Sequence, residues 1–244
     1  RELDYLLDCV REEECVRDLR FNGLAAGEES LRLLAAVQCL FVNCSFQSCS
    51  FEQSSFVDTV FQSCDFSNCD FSDSFFNRCE FRNCKGLGTK FAGSTVKNLT
   101  LAGCAMDFAN FDACRLERVC VSDSRLKGAV FSQCRAKDVY WDRVDLTGAS
   151  FFKTPLRGMD FTTSQIGSLV LSDGCEELRG LTVDLYQAAE LSKKLREVGK
   201  SRLTAREVYP GTVINIGDCK MSITKKEDSC SFYYLDGEIR KGIR

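Results

Sequence analysis

Ten of the sixteen cysteines in this 244-residue chain lie between residues 39 and 134 at multiples of five residues from one another: Cys39, Cys44, Cys49, Cys64, Cys69, Cys79, Cys84, Cys104, Cys114 and Cys134. Thiols spaced so regularly are the raw material of a metal column, a disulfide framework or an activated nucleophile. The chain has no histidine, which removes Ser-His-Asp and Cys-His nucleophile systems and every histidine-containing metal site. Ser54, Thr59 and Ser74 stand in the same series as the cysteines, and no hydroxyl is a thiolate ligand. Cysteine here therefore reads as a small hydrophobe. No metal or other cofactor is expected, and reduced thiols in such number point to a cytoplasmic compartment.

Carboxylates are the other side chains that could do chemistry, in a chain of which 27% is charged. Between Phe41 and Arg82 an acidic patch comprises Glu52, Asp58, Asp65, Asp70, Asp73 and Glu80, against Arg78 and Arg82 alone. General acid–base catalysis needs such groups within reach of a bound substrate. The repeat described next predicts a convex rod without a cleft, so no catalytic residue is assigned and no enzyme is expected. The net charge of −3 selects neither nucleic acid nor an acidic membrane, and direct nucleic-acid binding is not expected. No run approaches the ~18 apolar residues of a membrane span. The sequence opens on Arg1, so further residues are expected to precede it.

The elements that must position these groups follow from one period. Every fifth residue from Phe41 to Phe81 is phenylalanine, and the phase continues through Phe91, Val96, Leu101, Met106, Phe111, Leu116, Val121, Leu126, Phe131, Trp141, Leu146, Phe151, Leu156, Phe161 and Ile166 to Leu171. Only Gly86 and Ala136 are weak among these 27 centres. The cysteine series lies two residues before each centre. Two residues after it, 15 of 27 positions are Gly, Asn or Asp, the types that tolerate positive φ and mark a tight turn. A helix repeats at 3.6 and a strand at 2, so a strict five means a short extended piece and a corner in every pentad, with one large and one small side chain inward.

This pattern resembles the pentapeptide-repeat family, from about Leu19 to Leu171. The resemblance implies a right-handed quadrilateral parallel β-helix, an all-β solenoid with four pentads in each 20-residue coil. An uninterrupted rod is expected from about residue 37 to 173, roughly 30 Å long at a strand spacing of about 4.8 Å. Cys44, Cys64, Cys84 and Cys104 then form one column, with Cβ atoms farther apart than the ~3.5–4.5 Å a disulfide prefers. Sorting outward positions by 20 residues gathers Lys97, Arg115, Arg135, Lys137 and Arg157 on the fourth face, with Arg118 at a corner and Glu117 and Asp138 opposing. In-register like charges repel by roughly 1 kcal/mol per pair even in water, so this stripe is expected to bind a protein partner. The gyrase-protecting members of the family imply a second reading, a DNA mimic that engages DNA gyrase or topoisomerase IV and confers quinolone tolerance. Such mimics are acidic, whereas residues 41–171 carry 14 acidic and 14 basic side chains.

The two ends need caps, because each coil buries its apolar face only against its neighbours. Leu3, Leu6, Leu7 and Val10 have helical spacing and predict a capping helix over residues 2–17, within an N-terminal segment 1–18. The solenoid is assigned to 19–180 and a second helix to 182–196, capped by Thr182, within a segment 181–199. Residues 181–191 resemble the C-terminal segment of the gyrase-protecting proteins, which implies a homodimer formed through Leu185, Ala188, Ala189 and Leu195. Residues 200–244 read as a β-rich tail of separate origin, with alternation at Ile214 and Ile216, at Cys219, Met221 and Ile223, and a last strand near Phe232. That tail resembles a portion of the flagellar assembly protein A family.

Overall fold

A computed structural model of the chain describes residues 2–197 and the strands 213–216, 219–223 and 229–233, with side chains described as far as Leu191. Helix α1 covers Glu2–Arg11. It is followed by paired short strands: β1 Cys15–Arg17, β2 Arg20–Asn22, β3 Ala35–Val37, β4 Leu40–Val42, β5 Ser55–Val57 and β6 Val60–Gln62. From Phe75 the two strands of a coil fuse across the corner, giving β7 Phe75–Arg82, β8 Thr95–Ala102, β9 Arg115–Ser122 and β10 Arg135–Asp142. These ten strands form one parallel sheet in strict 20-residue register, as in Phe41 opposite Phe61 and Phe76 opposite Val96. The other two faces carry single parallel bridges at the same interval, such as Ser45 to Asp65 and Ser50 to Asp70.

The register fixes the core. Phe41, Phe61 and Phe81 stack with ring centroids 5.2 and 4.6 Å apart, and Phe91, Phe111 and Phe131 stack at 4.7 and 4.8 Å. Neighbouring columns meet edge to face, as in Phe61 and Phe66 at 5.2 Å, the geometry that the aromatic quadrupole favours. Of the 27 centres, Ala136 and Leu171 are half-buried and the others, Gly86 included, are buried. The corners repeat in phase: φ is positive at almost every fifth residue from Asp18 to Gly158, whether Asn43 and Gly88 or Phe108, Ala113 and Arg143.

Three expectations change. The N-terminal helix stops at Arg11 rather than residue 17, because Val16 and Phe21 already occupy buried centre positions and Cys15–Arg17 pairs with Ala35–Val37. The solenoid therefore begins near Cys15, before both Leu19 and residue 37. At the other end the helix α2 covers Leu185–Glu197, preceded by the short strand β11, Thr182–Asp184. Its cap is Asp184 rather than Thr182: the Gln187 N–H donates to the Asp184 carboxylate and the Asp184 N–H to the Gln187 side chain, both at 2.8 Å. That reciprocal pair is a capping box. The rod is also not continuous on every face. Strand β10 pairs only with β9, and no strand follows it in the next coil.

The C-terminal closure is polar and complete in detail. Backbone N–H groups of Leu156, Gly158 and Phe161 donate to Glu177, Gly180 and Thr182 carbonyls at 2.9 Å each. The buried Glu177 carboxylate accepts the N–H of Lys153 (2.8 Å) and the N–H and hydroxyl of Ser172 (3.0 and 2.9 Å), standing in for the carbonyls of a missing coil. Gln187 donates to the Phe161 and Ser164 carbonyls at 2.8 and 2.6 Å. Tail strands β12 Val213–Ile216, β13 Cys219–Ile223 and β14 Ser229–Tyr233 join β11 in an antiparallel sheet ordered β11-β14-β13-β12. The intervening residues that carry most of the flagellar-assembly resemblance lie outside the described residues.

Candidate protein-binding face

The small inward position does more than fill space. Cys64, Cys79, Cys84 and Cys104 each direct Sγ to the carbonyl 23 residues earlier, on Phe41, Phe56, Phe61 and Phe81, at 3.3–3.4 Å. Ser74, Thr89 and Ser94 make the same bond to Phe51, Phe66 and Phe71 at 2.8–2.9 Å. Thiol and hydroxyl interchange because each is a small donor that ties one coil to the previous one, a role the spacing alone did not reveal. Burial pushes the Cys79 and Cys134 thiols up to about 11 and Cys69 up to about 12, so these are poor nucleophiles at neutral pH. The ladder cysteines are unbridged, and no cluster of three or more Cys, Asp and Glu suited to a metal occurs among the described residues.

The acidic patch is largely neutralised in place. Asp58 receives both guanidinium bonds of Arg78 from the next coil, at 2.6 and 2.8 Å, and hydrogen bonding to that cation holds its carboxyl below the usual range. Glu52 lies 3.3 Å from Arg32, Asp70 lies 3.5 Å from Lys90, and Glu80 pairs with Arg82. Asp65 accepts the Ser67 N–H and hydroxyl at 2.9 and 2.6 Å and the Gln47 amide at 3.0 Å. Asp73 forms no ion pair among the described residues, and its carboxylate lies against the corner of Gly93. These six groups surround the rod rather than forming one negative face.

The basic stripe is different. Arg115 stands opposite Arg135 on adjacent strands, and Lys97 and Lys137 flank Glu117 in the neighbouring column. Glu117 is engaged by Arg118 and, at 3.9 Å, by Lys97; Arg118 also donates to the Asn98 side chain at 2.6 Å. Elsewhere along the rod Arg125 pairs with Asp107 and Arg143 with Asp123 at 2.7 Å, and Lys127 with Asp145 at 3.2 Å. Arg115, Arg135, Lys137 and Arg157 have no carboxylate within 4.0 Å among the described residues. The first three border, with Glu117, a depression of about 410 Å³ floored by Leu116, Cys134 and Ala136 and walled by Pro155. Arg157 lines a second, of about 400 Å³, of mixed charge, with Lys153, Arg179, Glu176 and Glu177. Arg115, Arg135 and Lys137 thus share one depression with Glu117, Ala136 and Pro155, whereas Arg157 lies in the other and no strand pairing among the described residues sets it opposite Lys137.

Of the expected dimer contacts, Ala188 is buried against the chain's own core, Leu185 is half-buried there and Ala189 is exposed; the Leu195 side chain lies outside the described residues. No helix among the described residues is long and apolar enough to cross a membrane.

Two family models match the chain, one described as a pentapeptide repeat region over residues 36–107 and one as pentapeptide repeats over residues 124–162. No curated protein matches the sequence. Among solved structures, the plasmid-mediated fluoroquinolone resistance protein QnrB1 is similar over 72% of this chain and 99% of its own, at 19% identity and a TM-score of 0.44. HetL, a pentapeptide repeat protein involved in heterocyst differentiation regulation in the cyanobacterium Nostoc sp. strain PCC 7120, is similar over 72% of this chain and 94% of its own, at 13% identity and a TM-score of 0.37. A pentapeptide repeat protein of the Arabidopsis thaliana thylakoid lumen shares 24% identity over 41% of this chain and 66% of its own, with a TM-score of 0.26. With a five-residue phase that sets its corners and core columns, and the two repeat models matching within it, residues 36–107 and 124–162 are pentapeptide repeats and the rod is a pentapeptide-repeat β-solenoid.

Proposed function

We propose that the chain is a non-enzymatic rod that binds a protein partner through its charged faces, with Lys97, Arg115, Arg118, Arg135, Lys137 and Arg157 marking the face that makes the contact. One observation carries this reading: Arg115 stands in register with Arg135, and these two, Lys137 and Arg157 lack, among the described residues, the carboxylate partners that Arg78, Arg125, Lys127 and Arg143 have. Outward positions of a solenoid are free to vary, so a like-charge pair in register is a net cost unless an acidic group binds there. Pairing of two copies through Leu185, Ala189 and Leu195 of α2 belongs to the same proposal, whereas Ala188 faces the chain's own core.

The alternative, a DNA mimic acting on DNA gyrase or topoisomerase IV, needs a continuous acidic face. Four of the six acidic-patch residues, Glu52, Asp58, Asp70 and Glu80, are instead ion-paired. A gyrase supercoiling assay with and without a quinolone separates the readings. The scaffold reading predicts no effect of the rod on supercoiling. Protection of gyrase by both the wild type and a variant with Arg115, Arg135 and Arg157 changed to Glu would establish the mimic instead.

A further inference from the structure

Along most of the rod, the N–H of each centre residue and of the corner residue two positions later donates to the carbonyl 19 residues on. Phe131 donates to Ser150 at 2.7 Å and Gln133 to Phe152 at 2.8 Å; one face later the pattern stops, and it resumes with Leu146 to Gln165 at 2.7 Å. The N–H groups of Ala136, Asp138 and Trp141 have no such acceptor in the next coil among the described residues. Arg143 donates to the Thr163 hydroxyl rather than to a carbonyl.

Two residues explain the break. Pro155 occupies the column of Arg115 and Arg135, where it has no N–H to return to the Cys134 carbonyl. Trp141 follows Leu101 and Val121 in its column, and its ring meets Phe161 edge-on at 79° and 5.8 Å rather than stacking; its indole N–H is buried without a partner among the described residues. The adjacent column stays closed, with Phe131 and Phe151 stacked at 5.2 Å. The coils therefore separate on two faces only, and β10 is an edge strand inside the rod. Sheet edges of this kind are where extended segments add to a protein.

We infer that the open edge of β10 at Ala136 is a docking groove for an extended acidic segment of a partner protein. This rests on the basic-face reading above and says where on that face the partner is held. Ala136 supplies the space, since a large centre would fill the depression of about 410 Å³ beside it. The Ala136 and Asp138 N–H groups supply donors for a backbone carbonyl or carboxylate, and Arg115, Arg135 and Lys137 line the depression against one carboxylate, Glu117, which is itself engaged by Arg118 and Lys97. A peptide suits the groove better than a nucleic acid. The opening is one strand wide, and its free donors are backbone N–H groups spaced to meet the carbonyls of an extended peptide.

The test uses the full chain and a fluorescein-labelled peptide of alternating Glu and Thr, with an alternating Lys and Thr peptide and a single-stranded oligonucleotide as comparators. The Glu peptide should bind, and amide exchange at Ala136 and Asp138, fast in the free protein, should slow in its presence. Ala136→Leu should weaken that binding at least tenfold, and Lys85→Gln, on another face, should leave it unchanged. Should Ala136→Leu bind equally well with both amides unprotected, the groove is wrong while the basic-face reading stands. Preferential binding of the oligonucleotide would overturn both, and no binding of the Glu peptide would overturn the groove. If Ala136→Leu fails to fold, the amide-exchange result on the wild type decides the question.

Discussion

A phenylalanine at the centre of a pentad is held by its two column neighbours and by the columns beside it. Phe61 stacks between Phe41 and Phe81 and meets Phe56 and Phe66 edge-on. Phe61→Ala should cost about 3–5 kcal/mol in denaturant unfolding, because strict register prevents the neighbouring coils from collapsing into the cavity. The buried thiols predict a pH dependence. A thiol raised from 9.0 to about 11, as at Cys79, stays protonated in the fold and ionises in the unfolded chain at lower pH. Its contribution is intact below the unfolded value and is lost as pH rises through the folded one. The melting temperature should therefore fall between about pH 9 and pH 11, and less steeply in a Cys79→Ser, Cys134→Ser variant. Both inward series were legible in the sequence, because five-residue spacing dictates which side chains turn in. The donor role of the small residue was not, since its acceptor lies 23 residues away on another coil.

At the scale of elements, the corners and caps decide. Ala113 holds a φ of 56° where Gly88 and Gly103 stand in other coils. The left-handed conformation costs a residue with Cβ roughly 1–2 kcal/mol, partly offset by the greater chain entropy of glycine. Ala113→Gly should raise stability by about 0.5–1 kcal/mol, read from a shifted urea midpoint; an unchanged midpoint would show the corner to be unstrained. Gln187 joins the α2 capping box to two carbonyls at the end of the rod, so Gln187→Ala should destabilise the C-terminal coil first. Amide exchange at Phe161 and Thr182 would then accelerate while exchange around Phe61 stays slow. Apolar spacing announced both helices, but their limits escaped it. The helical stripe of α1 runs straight into the first pentad at Val16, and the cap of α2 lies in a short strand whose partner, β14, is far downstream in the chain.

For the whole molecule, shape follows from one period and function from the exceptions to it. A 20-residue register turns scattered charges into columns, and several columns alternate in sign, as Asp58 with Arg78 and Asp123 with Arg143 do. Exposed pairs of this kind add little stability each, but they neutralise most of the cations along the rod. The stripe at Arg115, Arg135, Lys137 and Arg157 could be read from register alone; the opened edge beside it could not, because it depends on how Pro155 and Trp141 separate adjacent coils. The most direct test of the basic face is polyglutamate binding, followed by fluorescence anisotropy at low and raised salt, for the wild type and for the Arg115→Glu, Arg135→Glu, Arg157→Glu variant. The wild type should bind, salt should weaken binding, and the variant, folded with an unchanged melting temperature, should not bind. Equal binding by the two proteins would contradict the basic-face reading.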